Sequence, residues 1–170
     1  MTTTDVLLDG FGRVPEELRA ALDGVAPEQL TARLDPEANT LAWLAWHLAR
    51  VQDAQVASAF GAPEVWTEQG WAERFGLPLD GADTGYGHTP EQVGLVRVSD
   101  TGLLLDHLDA VHARTVEHLR TPAGADLERV VDPAYDPPVT LGVRLVSVLA
   151  DDLQHVGQVA LLRGLLERRS

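Results

Sequence analysis

The chain has 170 residues, no cysteine and a formal net charge of −13, from 26 acidic and 13 basic residues. This length is enough to bury a hydrophobic core as a single domain over residues 1–170, and the composition excludes disulfides, thiolate metal sites and a cysteine nucleophile. The acidity argues against nucleic acid and anionic membranes as partners, because the phosphates of both would repel the chain.

The start of the chain shows no targeting signal. Residues 1–5 lack the positive and the apolar segments of a signal peptide. No apolar run approaches the roughly 18 to 20 residues that a helix needs to span a bilayer. We therefore expect a cytoplasmic protein.

The first predicted helix covers about residues 5–22, where apolar side chains recur at spacings of three and four. Pro15 falls inside this pattern. Either the helix continues through Pro15 with a kink, or the helix proper begins there with proline as its first residue.

The second predicted helix covers about residues 40–59. Asn39 or Thr40 can cap its start, and the glycine and proline of residues 61–63 end it. His47 interrupts its apolar run, on or near the buried side. A single histidine in such a place is more often a core residue than a metal ligand.

Residues 61–100 form a long connection that is rich in glycine and proline. We predict short helical turns at residues 67–75 and 90–96, with loop elsewhere. A connection of this length is uncommon in a compact domain and is often functional. It also permits a crossover between parallel helices. His88 lies in it and is a candidate substrate contact, because loops commonly carry binding residues.

The third and fourth predicted helices cover about residues 99–120 and 140–167. Ser99 or Asp100 can cap the third, and Thr140 can cap the fourth. Residues 132–138 between them, rich in proline, are predicted to be rigid and extended. No strand alternation of convincing length is present. Four helices with one long connection predict an all-α four-helix bundle.

Three histidines of the third helix resemble a cluster, but helical geometry separates them. His112 is rotated far from both His107 and His118. His107 and His118 share a face, but they stand about 16 Å apart along the helix axis, too far to hold one ion. We expect all three to be partly exposed surface residues.

The fourth helix carries the most informative pair, Asp151 and His155. Residues four apart lie on the same helical face, so a carboxylate oxygen and an imidazole nitrogen can point to one place. If His47 packs beside them, two histidines and one carboxylate form the ligand set of a catalytic divalent metal, with a coordination position left open. Three alternatives remain: a buried Asp151–His155 ion pair, a solvated Asp151 at the edge of the bundle, and Asp152 as the ligand.

Three segments of the chain resemble one known family. They are Trp46-His47-Leu48-Ala49-Arg50, residues 70–78, and Asp151-x-x-x-His155-Val156-Gly157-Gln158 followed by Leu162-Arg163-Gly164. Together they resemble the DinB superfamily, and within it the actinobacterial branch that includes mycothiol-dependent maleylpyruvate isomerase and metal-dependent thiol transferases. The resemblance implies a four-helix bundle in up-up-down-down order, often a homodimer. It also implies a zinc or nickel ion held by His47, Asp151 and His155.

The resemblance and the residues together predict an enzyme that uses an external thiol such as mycothiol with an electrophilic small molecule. Gln158, one turn beyond His155, is a candidate for a contact with this histidine or with the substrate. Arg144 and Arg97 are candidates for binding an anionic substrate group. No residue is assigned a catalytic role. The alternative is a non-catalytic dimeric bundle that binds a metal or another ligand.

Overall fold

The computed structural model describes residues 1–169. Four long helices form a bundle: α1 (Thr3–Leu22), α3 (Leu41–Phe60), α7 (Thr101–Leu119) and α9 (Leu141–Glu167). Shorter elements lie in the connections: α2 (Pro27–Leu30), α4 (Val65–Glu68), α5 (Trp71–Phe75), α6 (Pro90–Val93), α8 (Pro122–Ala125), β1 (Val130–Asp132) and β2 (Val139–Thr140). The prediction of an all-α four-helix bundle is confirmed. None of the helices in residues 1–169 combines the length and the hydrophobicity that a transmembrane span requires.

Local signals fix the ends of the long helices. The hydroxyls of Thr40 and Thr140 accept hydrogen bonds from backbone N–H groups in the first turns of α3 and α9, and the Asp100 carboxylate does the same for α7. Gly61 ends α3 at a φ of 62°, a left-handed conformation that favours glycine. The predicted ends of these three helices are thus confirmed within about two residues. α1 runs through Pro15, so the alternative in which the helix begins at Pro15 is wrong.

The four long helices form a square in which α3 and α1 each pack against both α7 and α9. One end of the bundle is closed by a hydrophobic cluster that takes residues from all four helices. Its members come from the start of α1, the end of α3, the end of α7 and the start of α9: Leu7, Phe11, Val56, Ala59, Leu119, Leu141, Leu145 and Val148. The helices therefore run up-down-down-up, and the expected up-up-down-down order is wrong. The long connection joins the two parallel helices α3 and α7, which a short hairpin loop could not join.

The long connection covers the outer face of α3. Trp66, Trp71 and Phe75 belong to the same buried cluster as the first half of α3, and every residue from 41 to 50 is buried. The two predicted helical segments of this connection are confirmed in part, as α4, α5 and α6. The first half of the helix that carries His47 is consequently buried on all sides, and such a segment lacks the alternation of apolar and polar faces expected of a surface helix.

The connection also buries His107, which is 0% exposed. Its ring centroid lies 5.1 Å from that of Trp66, 5.3 Å from that of Trp71 and 5.5 Å from that of Phe75. Burial lowers the pKa of His107 to about 3, with a smaller contribution from nearby arginines. The expectation of a partly exposed His107 is therefore wrong, because helix periodicity alone does not reveal which face a loop will cover. His112 and His118 are partly exposed, as predicted.

The segment before α9 differs from the expected rigid, extended stretch. β1 and β2 pair antiparallel and form a two-stranded ribbon around the proline-rich turn. The strands have only three and two residues, too few for an alternating pattern to be recognised in the sequence.

Candidate metal centre

Three side chains from two helices converge at the α3–α9 contact. His47 comes from α3, and Asp151 and His155 come from successive turns of α9. One potential ligand atom from each residue lies within 4.8 Å of the other two. The His155 Nε2 is 3.6 Å from the Asp151 Oδ1, and the two imidazole rings meet edge to face with centroids 4.8 Å apart. The structure thus brings together the three residues that the sequence indicated.

The long connection determines which nitrogen of His47 is free. The Nδ1 of His47 lies 2.5 Å from the carbonyl oxygen of Thr84. A carbonyl oxygen only accepts hydrogen bonds, so Nδ1 carries the proton and the Nε2 lone pair remains for a ligand bond. Burial lowers the pKa of His47, and the Thr84 carbonyl only partly opposes this effect. Its imidazole is therefore neutral at pH 7, as metal ligation requires.

The two α9 residues complement His47. The Nδ1 of His155 donates to the Oε1 of Gln158 at 3.0 Å, which leaves its Nε2 facing the carboxylate of Asp151. The Oδ2 of Asp151 is buried and forms no hydrogen bond with any part of residues 1–169. A buried carboxylate oxygen is costly without a partner. Two imidazole nitrogens and one carboxylate with an unsatisfied oxygen are the kind of ligand set that a divalent cation takes.

Asp152, the competing ligand, lies elsewhere. Its side chain is fully buried inside the bundle, and it is not one of the converging residues. Burial raises the pKa of Asp152 well above its ordinary value, and the nearby negative charge of Asp151 raises it further. The helix places Asp151 beside His155 because the two residues are four positions apart, whereas Asp152 points about 100° away around the axis.

A cavity of about 200 Å³ adjoins the centre, and His47 and Asp151 form part of its wall. Arg144 also lines this cavity; its guanidinium donates to the Gln55 side-chain oxygen and, at 3.1 Å, to the Asp132 carboxylate. The remaining wall is contributed by Val51, Gln55, Tyr86, Ser147 and Val148. A small molecule in this space would touch His47 and Asp151 on one side and the guanidinium of Arg144 on the other.

Two sequence candidates lie in other positions. The imidazole of His88 has both nitrogens engaged: its Nδ1 accepts from the Trp43 Nε1 at 3.1 Å, and its Nε2 lies 3.0 Å from the Asp83 carboxylate. Arg97 lines a separate cavity beside α6. The structure therefore places His88 behind the ligand His47 and Arg97 away from the centre.

Two parts of the site, a backbone carbonyl and an aromatic ring, were not predicted from the sequence. The Thr84 carbonyl carries no side-chain signal that a sequence pattern could reveal. The indole of Trp43 stacks on the His47 imidazole, with centroids 4.4 Å apart and an interplanar angle of 11°. The spacing of four residues on one helix could have predicted this contact. Tyr86, 91% exposed at the cavity, is flanked by two glycines, and nothing in the sequence distinguished it from any other loop residue.

Comparisons with known proteins agree with this architecture. The chain is similar to a solved structure, the conserved protein of a locus from Enterococcus faecalis, with 32% sequence identity, a TM-score of 0.88 and coverage of 96% of both chains. No curated protein matches it significantly. Residues 11–159 match the DinB superfamily, a span that includes all three converging residues. This chain therefore belongs to the DinB superfamily.

Proposed function

We propose that the protein is a divalent-metal-dependent enzyme that uses a low-molecular-weight thiol, as an S-transferase or isomerase of the mycothiol type. The observation that carries the proposal is the convergence of His47, Asp151 and His155 beside a cavity that His47 and Asp151 line. Three protein ligands with space beside them are typical of catalytic sites, whereas structural sites are closed by four.

The chemistry assigned to the centre begins with an external thiol, because the chain has no cysteine. A zinc or nickel ion, when bound, supplies the positive charge that lowers the pKa of a coordinated thiol and yields a thiolate near neutral pH. His47, Asp151 and His155 are the residues that would hold this ion. Gln158 fixes the ring of His155 through its hydrogen bond.

The electrophilic substrate would occupy the adjoining cavity. Arg144 faces this space and is only partly neutralised by Asp132, whose carboxylate is itself partly exposed. A carboxylate on the substrate could compete for this guanidinium, which favours bidentate binding of planar anions. The cytoplasm, where thiols remain reduced, is the compartment that suits this reaction.

The test compares thiol binding and turnover in metal-loaded protein. Protein purified without a metal-affinity step is loaded with cobalt, and low-molecular-weight thiols including mycothiol are added. We expect thiolate-to-cobalt charge-transfer absorption, and thiol consumption once an electrophile is supplied. Asp151→Asn should lose both signals. His118→Gln, which changes a histidine outside the centre, should retain them.

Bound metal without thiolate absorption or turnover would contradict the enzymatic proposal and favour the alternative, a non-catalytic bundle that binds a metal or another ligand.

The molecular mass of the same preparation in solution tests the expected homodimer. Exposed apolar residues on the outer face of α9 support that expectation, since such residues commonly mark interfaces: Val143, Val146, Leu153 and Leu161.

A further inference from the structure

We propose that residues 83–88 form a clip that selects the Nδ1–H tautomer of His47 and fixes the direction of its ring, and that Gly85 is a positioning residue of this clip. The proposal rests on the metal site described above, but not on thiol transfer. The clip is the part of the long connection that passes directly behind the His47 ring.

The first observation is the single hydrogen bond between the clip and the ligand. The Thr84 carbonyl oxygen lies 2.5 Å from the His47 Nδ1. An imidazole that is free to rotate, or to exchange its proton between nitrogens, offers the correct lone pair for only part of the time. A carbonyl held at Nδ1 removes this freedom, because only the Nδ1–H form of the two neutral tautomers can donate to it.

The second observation is that the clip is tied to α3 on both sides of His47. The Asp83 carboxylate accepts from the Gly85 N–H at 2.7 Å and from the His88 Nε2, and His88 accepts in turn from the Trp43 indole. Trp43 is one turn before His47 on α3 and stacks on its ring. A continuous chain of hydrogen bonds thus runs from Trp43 through His88 and Asp83 to the Gly85 N–H. The Thr84 carbonyl belongs to the same peptide unit as this N–H, so the chain holds the carbonyl in place.

The other tie is Arg50, one turn after His47. Its guanidinium is 0% exposed, forms an ion pair with Glu64 at 2.8 Å and donates to the Asp83 carbonyl at 3.3 Å. A buried arginine fixed in this way leaves the start of the clip little freedom to move away from α3.

The third observation is a close approach that only glycine permits. Gly85 has a φ of 85°, and a Cβ built on it would lie 2.8 Å from the His47 Nδ1 and 2.9 Å from the Trp46 ring. Gly87 has a similar φ of 73°, but a Cβ built there meets nothing within 4 Å among residues 1–169. The two glycines thus share the backbone requirement and differ in their distance to the ligand.

The matched pair Gly85→Ala and Gly87→Ala tests the clip. Both substitutions strain the backbone, but only Gly85→Ala pushes the Thr84 carbonyl off the His47 ring. Histidine ¹⁵N NMR of the metal-free protein should show His47 as the Nδ1–H tautomer in the wild type and in Gly87→Ala. In Gly85→Ala the tautomers should mix, and the dissociation constant for Ni²⁺ should rise about 10- to 100-fold, the usual effect of losing the outer partner of a histidine ligand.

A second pair of variants, Asp83→Ala and Asp80→Ala, tests the clip if Gly85→Ala does not fold. Asp83→Ala removes the carboxylate that joins Gly85 to His88, whereas Asp80→Ala removes a carboxylate that caps a nearby loop N–H without reaching His88. We expect mixed tautomers and weaker Ni²⁺ binding for Asp83→Ala only.

An Nε2–H tautomer in the wild type, or equal effects within each pair, would overturn the clip. Failure of the wild type to bind Ni²⁺ would contradict the metal site instead, and the tautomer measurement would still test the clip.

Discussion

His47 and His107 are both buried histidines on long helices of the same bundle, and burial lowers the pKa of each. Their surroundings differ. His47 has a carbonyl on one nitrogen and faces Asp151 and His155. Within residues 1–169, neither nitrogen of His107 has a hydrogen-bond partner, and its ring packs among two tryptophans and a phenylalanine. Burial alone therefore does not make a histidine a ligand; converging polar partners do.

The largest expected effect is on metal affinity, which should depend on the centre that contains His47 and not on His107. His155→Ala removes one of three ligands and should weaken Ni²⁺ or Zn²⁺ binding by more than about 100-fold, beyond the range seen for losing an outer partner. His107→Phe keeps an aromatic ring in the same packing and should change the affinity by less than about 3-fold. Isothermal titration of metal into metal-free protein measures both values, with circular dichroism as the control for folding. Wild-type affinity in His155→Ala would remove the basis for the comparison.

The next expected effect is a pH dependence of stability that arises from His107. The pKa of this group is about 3 in the folded chain and 6.5 in the unfolded chain. Below pH 6.5 the unfolded state therefore binds a proton that the folded state does not, and stability falls as the pH falls. Between pH 7 and pH 5 this single group should remove about 2 kcal/mol from the free energy of unfolding.

Urea unfolding of metal-free protein at the two pH values measures this change. His107→Phe has no titrating group at the position, so its stability should fall by about 2 kcal/mol less than that of the wild type over the same interval. Equal losses in the two proteins would mean that His107 is hydrated or paired in solution and that its contrast with His47 is smaller than the structure indicates.

The two regions also differ in how far the sequence predicted them. The ends of α3 and α9 have local causes in Thr40, Gly61 and Thr140, and a spacing of four on one helix brings Asp151 and His155 together. These features were predicted because each depends on residues that are close in the chain.

The surroundings of His107 and the clip behind His47 depend on the path of residues 61–100. Contacts such as Thr84 with His47 join positions 37 residues apart and involve a carbonyl that every residue has. Helix direction is likewise set by which ends of the long helices pack together. A periodic pattern describes which side of a helix is apolar, but it does not say what covers that side.

The smallest expected effect concerns two neighbouring carboxylates, Asp151 and Asp152. Asp151 has an imidazole beside it. Asp152 is fully buried, and neither of its oxygens forms a hydrogen bond with residues 1–169. Its pKa is raised by burial and by Asp151. Because the folded state binds this proton more tightly than the unfolded state, protonation of Asp152 favours folding. This contribution is fully present below the unfolded pKa of 3.8, and it is lost as the pH rises through the pKa of the folded state. This sign is opposite to that of His107.

Asp152→Asn keeps the shape of the side chain and removes its ionisation. At pH 7 we expect the metal-free variant to be more stable than the wild type by about 1–2 kcal/mol, the scale of a desolvated and unpaired polar group. The difference should disappear near pH 4, where the wild-type carboxyl is protonated in the folded state. Urea unfolding at both pH values measures it, and exposed Asp106→Asn on α7 serves as the control, with an expected change within about 0.5 kcal/mol. A loss of stability at pH 7 would show that Asp152 is ionised and satisfied in the core, so that the two neighbouring carboxylates would no longer represent a paired and an unpaired environment.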